Sequence, residues 1–158
     1  MTKRYWEDFE VGQLGEFGRK RVSAEEIKEF AAVFDPQPMH LDEEAARTTP
    51  VGGLCASGWH TCGMMMRMIA DGFLLNSSSM GAPGVEEVRW LVPVRPGDEL
   101  TVRATVLGKK ASGSRPDLGF LDMFFEVINT EGTCVMTTRT NLMLARRAAD
   151  APKGMAPA

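Results

Sequence analysis

Two histidines occur in this chain, and one of them, His40, lies in FDPQPMHLD, five residues after Asp35 and two before Asp42. An imidazole changes charge near neutral pH, and a carboxylate beside it can orient it or share its proton traffic. Such a pair suits the addition of water across an activated double bond, in which one group takes a proton from water and the other delivers one to the adjacent carbon. The link Pro36-Gln37-Pro38-Met39 can turn so that both side chains face one cleft. Its two prolines fix φ and reduce the entropy lost in holding that turn. The same spacing also fits an ordinary structural turn, because Asp-Pro is a common turn opening. A carbonyl conjugated to the double bond would gather negative charge and need donors. The stretch ASGWHT, Ala56 to Thr61, offers them if it starts a helix, where free N–H groups and the positive end of the dipole meet. Gly58 has no side chain to block a thioester oxygen and is the natural oxyanion donor. Ser57 reads as an N-cap or a second polar contact. His60 reads as a structural hydrogen-bonding residue, and RPGDE, Arg95 to Glu99, as hairpin geometry.

These residues need elements to hold them. Residues 1–14 read as an extended lead-in and EFGRKRV as a strand. Ser23 and Glu26 have capping-box spacing, and Ile27, Phe30, Ala31 and Phe34 follow at one-face helical spacing. Pro36 disfavours helical geometry at Asp35, so Asp35 falls at a helix exit. Asp42 can cap a short helix through DEEAARTT. The loop PVGGLCASG leads into a helix over Trp59–Leu75, whose main stripe is Cys62, Met65, Met66, Ile69, Ala70 and Phe73. Met64 and Met68 extend its apolar character, the pattern of a buried helix with adaptable packing. The period then changes to two. Val88, Trp90 and Val92 alternate with Arg89, Leu91 and Pro93, Leu100, Val102, Ala104 and Val106 make a second alternating strand, and GFLDMFFEVIN and TCVMTTRTNLMLA make two more.

This order predicts an α+β domain over 1–147, with an antiparallel sheet curved around the long helix, the hotdog arrangement. The Ala- and Pro-rich tail 148–158 reads as disordered. Open sheet edges in so small a fold are commonly paired across a dimer.

Composition narrows the function. The chain has 158 residues, net charge −3 and no concentrated run of Lys and Arg, which gives nucleic-acid binding little electrostatic support. The segment WHTCGMMMRMIADGFLL is interrupted by Arg67 and Asp71, which argues against a membrane span, and the N-terminus lacks the apolar core of a secretory signal. Cys55, Cys62 and Cys134 contain no C-x-x-C pair and read as free thiols in a reducing cytoplasm, and two histidines without paired cysteines argue against a zinc site.

FDPQPMHLDEEAA, then GGLCASGWHT, then EVRWLVPVRPGDELTVRATV, resembles the MaoC-like family of (R)-specific enoyl-CoA hydratases and acyl dehydratases, over roughly Glu7 to Leu144. The family's motif Asp-x-Asn-Pro-x-His-x-Asp reads here as Asp35-Pro36-Gln37-Pro38-Met39-His40-Leu41-Asp42. The resemblance implies the hotdog fold, a homodimer or dimer of dimers, no metal and no redox cofactor, with coenzyme A present only as part of the substrate. It places the catalytic pair on Asp35 and His40 and the oxyanion glycine on Gly58, for syn addition of water to a trans-2-enoyl thioester or the reverse dehydration. The partner would be an acyl-CoA or acyl-carrier thioester, with the pantetheine arm entering along the dimer interface. Gln37 stands where the family frequently has Asn, and Ser57 where hydratases often have His. Both border the cleft and are expected to shape substrate binding. Two other readings use the same fold: an acyl-CoA thioesterase, for which Asp71 is the candidate carboxylate, and a catalytically silent acyl-thioester binding module.

Overall fold

A computed structural model describes residues 2–147; the tail 148–158 lies outside the described residues. The elements follow the expected order, with one addition. Strand β1 (Gly12–Arg21) leads to helix α1 (Ala24–Phe34), a single helical turn α2 (Pro38–Leu41), α3 (Glu43–Arg47) and the central helix α4 (Gly58–Ile69). Strands β2 (Val85–Trp90), β3 (Glu99–Ala111), β4 (Leu118–Ile128) and β5 (Cys134–Ala145) complete the chain. All strand pairs are antiparallel, in the order β1-β3-β4-β5-β2.

The alternation in β3 is realised as written, with Leu100, Val102, Ala104 and Val106 all buried. Leu121, Met123, Phe125 and Val127 of β4 and Met136, Leu142 and Leu144 of β5 continue that face into one apolar core. Helix α4 supplies the other side of the core through Met64, Met65, Met68 and Ile69. This is the hotdog arrangement, a helix wrapped by an antiparallel sheet. Burying a face of this size is what drives the sheet to close around the helix.

The expected stripe on α4 is rotated. Met66 is 50% exposed and Cys62 only partly buried, whereas Met64 and Met68 are buried. The periodicity was nearly degenerate because methionines stand on several faces, and contact with the sheet decides between them. The helix also ends sooner than expected. It passes at Ala70 into a π-helical turn, Ala70–Leu74, which carries Phe73 into the core.

Only half of the expected capping box forms. Ser23 Oγ accepts the Glu26 N–H at 3.1 Å. The Glu26 carboxylate instead turns to Lys20, 2.7 Å away, and toward His60 Nε2 at 3.8 Å. His60 stacks on Phe30, with ring centroids 4.7 Å apart and planes 8° from parallel. It joins α1 to α4 by ring packing and by the long Nε2 contact to Glu26; its Nδ1 has no partner among the described residues.

Burial holds the His60 imidazole below the usual histidine range, with Glu26 only partly opposing the shift. The unfolded chain therefore takes up more protons than the folded one as pH falls below the ordinary value of 6.5. The stabilisation from neutral His60 is fully present above that value and is lost as pH falls toward the lowered one. Melting temperatures followed from about pH 7 to about pH 5 should decline less steeply for His60→Leu than for the wild type. Parallel declines would show that this imidazole is not the group that titrates.

Candidate active site

The helix exit at Asp35 is present. Asp35 is the C-cap of α1, and its N–H donates to Ala31 O at 3.0 Å. The chain then turns sharply, with Pro38 at the start of the one-turn helix α2. His40 thus lies in a short helical turn rather than in the simple turn expected from two prolines. Proline is favoured in the first helical turn because its missing N–H would have had no partner there. The result swings His40 back toward Asp35, with Nε2 3.4 Å from Oδ2. Asp42 serves elsewhere: its Oδ1 accepts the Ala45 N–H at 2.7 Å and starts α3.

Each member of the pair is held from behind. The Asp35 carboxylate accepts the Gln37 side-chain amide at Oδ1, 2.8 Å, and the Ser57 hydroxyl at Oδ2, 2.7 Å. These two bonds, the Gln37 bond foremost, keep Asp35 below the usual carboxylate range, with a smaller contribution from His40. His40 is buried, and its Nδ1–H donates to the Cys55 carbonyl at 2.7 Å. A carbonyl can only accept, so Nδ1 keeps its proton and Nε2 is the nitrogen left to gain or lose one. The arrangement sets an anionic oxygen and a basic nitrogen on either side of one small space.

Ser57 does not face that space. It is 0% exposed, and its oxygen also accepts the Trp59 N–H at 3.3 Å, as an N-cap does. Its hydroxyl joins the start of α4 directly to Asp35. Gln37 and Gly58 do line the cavity, which holds about 370 Å³ and is also bounded by Asp35, His40, Trp59 and Trp90. Gly58 occupies the first helical position, where the N–H has no partner within the helix.

Three further contributors escape a local reading of the sequence. The Cys55 carbonyl is backbone and carries no side-chain signal. Trp90 lies across Gly58, its indole N–H donating to the Gly58 carbonyl at 3.0 Å, and meets Trp59 edge-on at 5.3 Å. Its place in a strand was legible, although β2 ends at Trp90 and does not alternate in burial as expected; its contact with a residue 32 positions earlier was not. Arg95 reaches back to the loop before α4. The methionines buried on α4 belong to the core, and Met39 is the methionine on the cavity wall. Asp71 lies beyond the far end of α4, paired with Arg67 at 2.7 Å and away from the cavity.

Comparison with known proteins places this geometry in a family. The MaoC like domain profile matches residues 10–118. A MaoC-like dehydratase from Rhodospirillum rubrum superposes with a TM-score of 0.85 at 42% identity, covering 92% of this chain and 99% of that one. YdeM, an uncharacterized protein of Bacillus subtilis, is 30% identical over 89% of this chain and 98% of its own length. A Rhodospirillum rubrum protein named (R)-specific enoyl-CoA hydratase is 28% identical, with 68% of this chain and 73% of that protein aligned. The chain belongs to the MaoC like domain family.

Proposed function

We propose that the protein is a hydro-lyase that adds water reversibly to a trans-2-enoyl thioester, with Asp35 and His40 as the catalytic pair. The observation that carries this reading is the 3.4 Å approach of His40 Nε2 to Asp35 Oδ2 at a cavity that Gly58 also lines. The (R)-specific enoyl-CoA hydratase and the MaoC-like dehydratase among its relatives support the same reaction class.

In the hydration direction a water sits between Oδ2 and Nε2. Nε2 takes one of its protons as the oxygen bonds to C3 of the enoyl group. Electrons shift to the thioester oxygen, where the Gly58 N–H stabilises the charge. The imidazolium then returns the proton to C2 from the same face, so H and OH add on one side. Asp35 stays anionic throughout, orienting the water and favouring the imidazolium while it exists. Dehydration is the same path reversed. Neither step draws on a metal or redox cofactor, and coenzyme A or an acyl carrier enters as part of the substrate.

A second copy of the chain is the expected assembly partner. Strand β2 is a sheet edge, and Val85, Trp90, Leu91 and Val92 along it and just beyond it are exposed. An open edge with apolar side chains favours strand pairing with another molecule.

The test is a panel of trans-2-enoyl-CoAs followed by loss of the conjugated thioester absorbance. Turnover of at least one chain length, without release of free coenzyme A, is expected. Release of free coenzyme A would turn the reading to a thioesterase. Tight binding with no turnover across the panel would turn it to a silent binding module.

A further inference from the structure

The RPGD turn between β2 and β3 does more than reverse the chain. Its geometry is that of a turn: the Asp98 N–H donates to Arg95 O at 3.1 Å, and Gly97 has φ of +92°, a conformation suited to glycine. Asp98 Oδ2 also accepts the Arg95 backbone N–H at 2.9 Å. Pro, Gly and Asp are thereby explained, and the arginine is not. A turn needs no guanidinium.

The Arg95 side chain leaves the turn and crosses to the segment before α4. Nη1 donates to Gly53 O at 2.6 Å and Leu54 O at 3.3 Å, and Nη2 donates to Val51 O. Three backbone carbonyls, rather than a carboxylate, surround the charged group. A guanidinium offers five N–H donors in a rigid plane and can engage several carbonyls at once, whereas an ammonium is a compact point charge on a flexible stem.

What the three carbonyls share is their place in the chain. Residues 51–57 form no helix or strand. They run as a strap from Arg95 to the site, tied by the Ala56 N–H to Val94 O at 2.9 Å and the Cys55 N–H to Met39 O at 3.2 Å. At the far end the Cys55 carbonyl accepts from His40 Nδ1, and the Ser57 hydroxyl donates to Asp35. An irregular segment lacks the ladder that would fix the direction of its carbonyls, so outside donors must do it. Arg95 grips the strap immediately before the carbonyl that decides which nitrogen of His40 carries the proton.

We propose that Arg95 is a positioning residue for His40: by clamping the carbonyls of Val51, Gly53 and Leu54 it holds the Cys55 carbonyl against Nδ1 and so keeps Nε2 as the exchanging nitrogen. The proposal rests on the hydro-lyase reading for its kinetic consequence, but not for its structural one.

Two measurements test it on the full chain. Nitrogen NMR of histidine-labelled protein, with His40 assigned by its loss in His40→Asn, reads the tautomer directly and requires no activity. The wild type should show the proton on Nδ1. In Arg95→Met, which keeps an aliphatic stem but loses every donor, His40 should become a mixture of tautomers. Arg95→Lys should fall between the two and stands in for Arg95→Met should that variant fail to fold. Asp98→Ala loosens the turn without touching the guanidinium; it should lower the melting temperature and leave the tautomer unchanged.

With an enoyl-CoA that the wild type turns over, Arg95→Met should lose about 10-fold to 100-fold in kcat, the scale of a small misplacement of a catalytic group, with little change in KM. A turn residue with no hold on the site would lower the melting temperature alone. Wild-type tautomer and wild-type kcat in a folded Arg95 variant would overturn the proposal, as would an equal tautomer change in Asp98→Ala. Absence of turnover by the wild type would count against the hydro-lyase reading, and the tautomer would still decide the role of Arg95.

Discussion

Replacing His40 with asparagine should reduce kcat for enoyl-thioester hydration by about a hundred-fold to ten-thousand-fold, the range contributed by a positioned general acid–base group, while leaving the protein folded. The variant is chosen for what it preserves. Its side-chain amide can donate to the Cys55 carbonyl as Nδ1 does now. It has no nitrogen that takes up a proton where Nε2 stands. His40→Ala removes both functions and leaves that carbonyl without its imidazole donor, at a cost of about 1–3 kcal/mol of stability. Equal loss of activity in the two variants, with a higher melting temperature for asparagine, would separate the base from the hydrogen bond. Asp35→Asn belongs in the same series: it retains the shape that accepts the Ser57 hydroxyl but loses the negative charge. Its kcat should also fall by at least about a hundred-fold. Undiminished hydration in both His40→Asn and Asp35→Asn would end the case for this pair.

The way the pair is built explains which parts of it the sequence disclosed. Asp35 at a helix exit follows from a local rule, the effect of Pro36 on the preceding residue. The alternation in β3 and the change of period from helix to strand are likewise local. The fold class was legible because these signals agree along the chain. What failed locally failed for identifiable reasons. Glu26 had the spacing of a capping box, but Lys20 and His60 compete for its carboxylate across β1, α1 and α4. The methionines of α4 carry too little directional information to say which side meets the sheet, and Met66 fell on the wrong side. Ser57 was correctly placed at the helix start. The same position brings its hydroxyl to Asp35, across 22 residues of chain. A backbone carbonyl such as that of Cys55 leaves no trace in a sequence at all.

This division has a physical basis. Asp35 and His40 are supplied by the exit of α1 and by α2. Gln37, between them, holds Asp35 from one side, while the Ser57 hydroxyl and the Cys55 carbonyl come from the strap entering α4. One polar connection, from Ser57 to Asp35, joins the anion of the pair to the helix whose first N–H is proposed to meet the thioester oxygen. On the hydro-lyase reading, proton transfer and charge stabilisation would therefore be set by the same few ångströms of backbone. A disturbance at the start of α4 should be felt by both.

Gly58→Ala makes that disturbance with a single methyl group. A Cβ at this position would lie 2.4 Å from the Trp90 ring and within 2.8 Å of two further indole atoms, so the ring must move. Trp90 is 47% exposed and has room to swing outward. In doing so it breaks its 3.0 Å bond to the Gly58 carbonyl and leaves Trp59 without its edge-on neighbour. Overpacking of this kind costs about 1–3 kcal/mol. The larger effect should be on catalysis, because the methyl stands beside the N–H proposed to meet the thioester oxygen. Loss of one such donor lowers kcat by about a hundred-fold to a thousand-fold. Two causes are mixed in that figure, and Trp90→Ala separates them. Combined with Gly58→Ala, it removes the clash and leaves the methyl. If the indole is the obstacle, the double variant should recover stability and part of the lost activity relative to Gly58→Ala alone. If the methyl itself blocks the approach of the thioester, stability should return and activity should not. Wild-type activity in Gly58→Ala would mean that the start of α4 takes no part in stabilising the reacting carbonyl.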